Sequence, residues 1–226
     1  NSSTLTTPTG YVSGVKLIVG GTLTIDATSK IDVDGKGYPA YYYSGPDYSY
    51  NTRGGCHGGN RAGTSSNCTY GRYERARYSG SGGYYNGAGG GFIHIQTPNL
   101  VLNGQLRANA GVTNSTYEIA GGGIHLEVGT LSGTGSLQAK GGGTYHNAGG
   151  GGRISVYARD RSLFTGSLSA ATGANGYAGG AGTIYFKSPT ETYGHLQVDN
   201  GGRVAPGGST PIRQVGRHTI LSSSLI

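Results

Sequence analysis

The feature that most constrains this chain is a glycine run that opens, four times, into an alternating strand. The copies are Ala88-Gly89-Gly90-Gly91-Phe92-Ile93-His94-Ile95, Ala120-Gly121-Gly122-Gly123-Ile124-His125-Leu126, Ala148-Gly149-Gly150-Gly151-Gly152-Arg153-Ile154-Ser155-Val156-Tyr157 and Ala178-Gly179-Gly180-Ala181-Gly182-Thr183-Ile184-Tyr185-Phe186. Their leading alanines stand 32, 28 and 30 residues apart. Each copy has a second half, a short segment led by Leu106, Leu137, Leu168 or Leu196 that closes on glycine. An earlier copy runs from Val15 to Gly37. Period-2 alternation argues strands rather than helices. A repeat of this length cannot bury its own apolar face, so the copies must stack.

These observations predict an all-β chain, a right-handed parallel β-helix (solenoid) of about five coils. The handedness follows the rule for parallel crossovers. Residues 1–14 read as a linker or cap. The solenoid spans 15–202, with a Tyr/Gly-rich loop insertion at 38–87. Residues 203–226 read as a tail leading into further chain. The four leucines, at equivalent positions, are expected to form one internal ladder. Alternation places His94, His125, Ser155 and Tyr185 on the opposite, outward face, with Gln96, Glu127, Tyr157 and Lys187 beside them.

Glycine, at 47 of 226 residues, could signal disorder, but here it is periodic and the segments between are apolar. A net charge of +7 favours anionic partners such as acidic polysaccharide. The basic residues are scattered and no nucleic-acid motif appears, so nucleic acid is not an expected partner. No apolar run is long enough for a membrane span. Cys56 and Cys68, 12 residues apart in a glycine-rich polar stretch, read as a disulfide formed in an oxidising compartment. Two free thiols are the alternative.

The insertion holds 11 of the 18 tyrosines and five arginines against Asp47 and Glu74. Insertions into repeat arrays gather on one face, often the binding face. Tyrosine offers a ring and a hydroxyl at low entropic cost, and arginine pairs with carboxylate or sulfate. The ligand-binding candidates are therefore Tyr41, Tyr42, Tyr43, Tyr73, Arg72 and Arg75. The outward face with His94, His125 and Tyr185 is the second candidate, an ordinary solvated sheet face being its plain reading. Asp32 and Asp34 alternate with Ile31 and Val33 and are weak calcium candidates. No other cofactor or metal is expected, because two histidines lacking a further donor seldom make a site.

Gly149-Gly150-Gly151-Gly152-Arg153-Ile154-Ser155-Val156-Tyr157 and Gly182-Thr183-Ile184-Tyr185-Phe186-Lys187-Ser188, together with Gln197-Val198-Asp199-Asn200-Gly201-Gly202, resemble the glycine-rich parallel β-helix repeats of large secreted bacterial surface proteins. The resemblance covers roughly 15–202 without the insertion. It implies a β-helix and an extracellular or cell-surface, adhesin-like role, and it carries over no catalytic residue. The expected function is a non-catalytic adhesion or glycan-binding domain of a larger surface protein, with a polysaccharide or cell-surface glycan as partner. One alternative is a structural, self-assembling subunit of an extracellular fibre or matrix. A polysaccharide lyase is the other: tyrosines, His57 and arginines could supply its base, but acids are few and no catalytic signature appears.

Overall fold

A computed structural model of the chain describes residues 2–41, 55–63, 67–83, 87–111, 118–143, 148–173, 177–205 and 208–212. The described residues form strands and irregular segments. In chain order the strands are β1 (Thr4–Leu5), β2 (Val15–Ile18), β3 (Thr22–Ile25), β4 (Lys30–Asp32), β5 (Phe92–Leu102), β6 (Gln105–Arg107), β7 (Gly123–Ser132), β8 (Ser136–Gln138), β9 (Arg153–Asp160), β10 (Ser167–Ser169), β11 (Thr183–Lys187) and β12 (His195–Gln197).

They make two sheets. The smaller has the order β1-β4-β6-β8-β10, and every pair in it is parallel. The larger has the order β12-β11-β9-β7-β5-β2, with β3 also paired to the far half of β5. Each glycine run is followed by apolar residues at alternate positions, and the pairing sets these side by side. Ile93, Ile124, Ile154 and Ile184 form one row, and Ile95, Leu126, Val156 and Phe186 the next. Opposite them, Ile31, Leu106, Leu137 and Leu168 are in register across the smaller sheet. Residues from both sheets merge into one apolar core. Burial of these rows is the main stabilising term, at about 25 cal/mol per Å² of apolar surface.

The expected right-handed parallel β-helix of about five coils is not what forms. Two mainly parallel sheets of unequal strand number stand in its place, and neither closes into a solenoid. The larger sheet ends in an antiparallel pair, β11 with β12. Leu196 consequently leaves the leucine row and lies opposite Tyr185 in the other sheet. The physical reason lies in the glycine runs. They have no side chains with which to build a further apolar face, so their backbones pack on one another. Gly90 N–H donates to Ala120 O, Gly121 N–H to Gly150 O, and Gly151 N–H to Gly180 O.

The described residues of the 38–87 segment are hydrogen-bonded into the glycine runs. Gly58 and Gly59 donate to Gly151 O, Gly80 to Gly90 O, and Gly150 to Gly55 O, so these residues are threaded into the glycine layer. Backbones approach so closely there that a Cβ at Gly151 would strike the Ala170 carbonyl, and one at Gly58 the Gly152 carbonyl. Glycine is required at both positions for that reason.

Candidate functional site

The outward face of β5, β7, β9 and β11 carries the side chains that alternate with the apolar rows. Pairing aligns His94, His125, Ser155 and Tyr185, and beside them Gln96, Glu127, Tyr157 and Lys187, as the alternation predicts. Exposure departs from expectation. His125 and Ser155 are fully buried, Tyr185 is 7% exposed, and His94 is half-buried. The cover is the 70–79 stretch of the tyrosine-rich segment. The Ala76 amide donates to Ser155 Oγ at 3.0 Å, and Arg153 Nε donates to the Tyr70 carbonyl at 3.0 Å.

An aromatic row crosses this face. Ring centroids run from Phe92 to His94 (6.3 Å), to His125 (5.1 Å), to Tyr157 (5.7 Å), to Tyr185 (6.0 Å) and to Tyr73 of the covering stretch (5.4 Å). The last three steps are edge-to-face, the favoured geometry for aromatic rings. Arg72, Arg75 and Arg77 stand exposed around Tyr73, and Arg72 and Arg75 form a small antiparallel bridge. Burial, reinforced by neighbouring Tyr157 and Glu74, pushes the Tyr185 hydroxyl up to about 12. Burial and Glu74 also raise Tyr157.

Within the row His94, His125 and Glu127 converge. His125 Nε2 lies 3.0 Å from Glu127 Oε1, and His94 Nε2 lies 3.5 Å from Glu127 Oε2. His125 Nδ1 is 2.6 Å from Ser155 Oγ. Burial, partly offset by Glu127, keeps the His125 imidazole below its ordinary pKa, so it is neutral near pH 7. Sequence alternation gives the shared side of His125 and Glu127. The proximity of His94 comes from the parallel pairing of β5 with β7, which the stacked repeat anticipates; what the repeat does not express is that Glu127 reaches both imidazoles.

Beneath the cover lies a second buried polar group, Arg153 with His57; the sequence offers His57 only as a candidate lyase base and does not point to Arg153. Arg153 is 2% exposed, and its guanidinium donates to Tyr70 O, Thr183 Oγ1 and His57 O. His57 stacks on Tyr70 with centroids 4.7 Å apart and donates from Nδ1 to Gly121 O at 2.9 Å. Burial, followed by the Arg153 charge, drives His57 down to about 3. Its signal in the sequence is weak: one histidine among glycines.

The other expected residues fall as follows. Tyr41 is exposed, with φ of 67°, a conformation a tyrosine seldom adopts. Tyr42 and Tyr43 lie outside the described residues. Asp32 and Asp34 both meet Arg107, and Asp32 also pairs with Lys30 at 2.9 Å. Asp34 further accepts the Asn109 amide at 2.7 Å. Burial opposes ionisation of Asp32, but hydrogen bonds from Lys30 and the Asp34 amide, with the Arg107 charge, hold its carboxyl below the usual range. A calcium ion there would have to displace Arg107. Cys56 and Cys68 are joined in a disulfide, with Cα atoms 5.7 Å apart, a bond that belongs to an oxidising environment. Among the described residues no helix is long and apolar enough to cross a membrane.

No protein-family model, no characterised protein and no solved structure matches the chain at a significant level.

Proposed function

We propose that the chain is a non-catalytic, extracellular binding domain for an anionic polysaccharide, presented as part of a larger surface protein. The observation that carries this reading is the strip formed by exposed Arg72, Arg75 and Arg77 around half-buried Tyr73, with half-buried Tyr157 on the sheet beside it and buried Tyr185 packed edge to face between the two rings. Rings of this kind pack on sugar faces, and guanidinium groups pair with uronate or sulfate. The net charge of +7 adds long-range attraction for such a polymer. The disulfide fits export to an oxidising compartment.

The same face supports binding over a lyase reaction. A tyrosine base works best with a pKa near the operating pH. Burial moves Tyr185 and Tyr157 the other way.

The test is calorimetric titration with sulfated, uronate-containing and neutral polysaccharides at low and high salt, beside the double variant Arg72→Gln/Arg75→Gln. Binding should favour the anionic polymers, weaken as salt screens the arginines, and fall at least about tenfold in the variant. Equal affinity for neutral polymers, or an unaffected variant, would reject the reading. Filaments in electron micrographs of a protein that binds no polysaccharide would favour the fibre subunit instead.

A further inference from the structure

His94, His125 and Glu127 come from two neighbouring strands and turn their donor atoms toward one point. His94 and His125 are direct partners across the β5–β7 pairing, and Glu127 follows His125 by two residues on the same face. One ligand atom from each lies within 4.8 Å of the other two. Glu127 offers a different oxygen to each imidazole, Oε1 to His125 and Oε2 to His94. His94 Nε2 is buried, and Glu127 Oε2 at 3.5 Å meets it only at the outer limit of a hydrogen bond, which leaves the nitrogen poorly satisfied unless something else binds it.

We infer that these three side chains form a binding site for a zinc-class divalent transition-metal ion. Two imidazole nitrogens and one carboxylate oxygen are the donor set of an open zinc site, in which three protein ligands leave a position for water. Imidazole donors select against calcium and magnesium, which take oxygen. The surroundings supply what a ligating histidine needs on its other nitrogen. His125 Nδ1 faces Ser155 Oγ, which already accepts the Ala76 amide. A hydroxyl oxygen has two lone pairs, so Ser155 can accept from Nδ1 as well. On metal binding the Nε2 proton of His125 is replaced by the ion, and the neutral ring carries its proton on Nδ1, directed at Ser155. That second contact fixes the tautomer and the ring plane. Ser155 is thus a positioning residue, itself held by the 70–79 stretch. Glu127 keeps one side of the cluster open, its side chain being 34% exposed. The site requires no polysaccharide and stands or falls apart from the binding reading above.

The experiment is titration of the untagged, disulfide-intact protein with Co²⁺, followed by its visible absorption, and with Zn²⁺ by calorimetry in competition. Wild type should bind one equivalent, give the intense bands of a tetrahedral or five-coordinate cobalt centre, and release the cobalt to Zn²⁺ but not to Ca²⁺. His94→Gln and Glu127→Gln alter partly exposed side chains and should weaken binding at least about tenfold, while Ser155→Ala should cost about 10–100-fold. Folding of each variant is checked by its thermal transition without metal. His195→Gln is the control, because the exposed His195–Glu191 pair at 3.0 Å is the alternative surface site. The inference is overturned if wild type binds no stoichiometric ion, if His94→Gln and Glu127→Gln bind as wild type, or if His195→Gln abolishes the signal.

Discussion

Tyr73 meets Tyr185 edge to face, with ring centroids 5.4 Å apart, and so joins a segment that interrupts the repeat to a strand 112 positions further along the chain. The contact is the end of the aromatic row and one of the points where the covering stretch grips the sheet, beside the Ala76–Ser155 and Tyr70–Arg153 hydrogen bonds. Tyr73→Ala should therefore act twice. It should lower stability by about 1 kcal/mol, and it should remove a ring from the proposed sugar-binding strip. Arg72→Gln, exposed and beyond the row, should lower affinity while leaving the urea midpoint unchanged. Equal stability losses in both variants would show that the strip holds the fold and nothing else.

His57 makes stability depend on acid. Its folded pKa, near 3, lies below the value of 6.5 it has when unfolded. Between those values the unfolded chain takes up a proton that the folded chain refuses, so stability falls as pH drops through this window. The loss reaches up to about 1.4 kcal/mol per pH unit. Below about pH 3 this contribution levels off. Urea unfolding at a series of pH values, wild type against His57→Asn, isolates the effect as a difference in slope. A His57 ring that titrates near 6.5 by NMR would sink the prediction.

Cys56 is fully buried, and its amide donates to Ser81 Oγ at 2.9 Å, so the disulfide fastens an irregular segment already hydrogen-bonded to its neighbours. Reduction should lower stability by roughly 3 kcal/mol on the chain-entropy account. Thiol titration of the denatured, unreduced protein should find no free thiol. Two reactive thiols there, or an unchanged urea midpoint after reduction, would contradict the expectation.

Gly151→Ala tests the glycine layer. The added methyl would meet the Ala170 carbonyl and the Gly182 amide, both backbone atoms that cannot swing aside. The change should destabilise by about 1–3 kcal/mol or more. Gly20→Ala, with open space around the new methyl, is the matched control and should be near neutral. Similar thermal midpoints for the two variants would show that the layer is looser than described.

The sequence by itself determined the strands and their faces. Alternation of apolar and polar residues is a local property, and it placed Ile93, Ile124, Ile154 and Ile184 inward and His94, His125 and Tyr185 on the other side, as the pairing bears out. It also paired Cys56 with Cys68. The tertiary structure decided what the repeat could not express. Glycine runs carry no side-chain pattern, so nothing local says that their backbones hydrogen-bond to Gly58, Gly59 and Gly80 of a distant segment and build a layer in place of a coil face. Nor does alternation say whether an outward face meets water. That depended on Tyr70, Tyr73 and Ala76 folding back over Arg153, Tyr185 and Ser155, which buried His125 and left His94 and Glu127 beside it. Long-range backbone pairing set those contacts, and its energy depends on which segments meet in space rather than on the residues of any one segment.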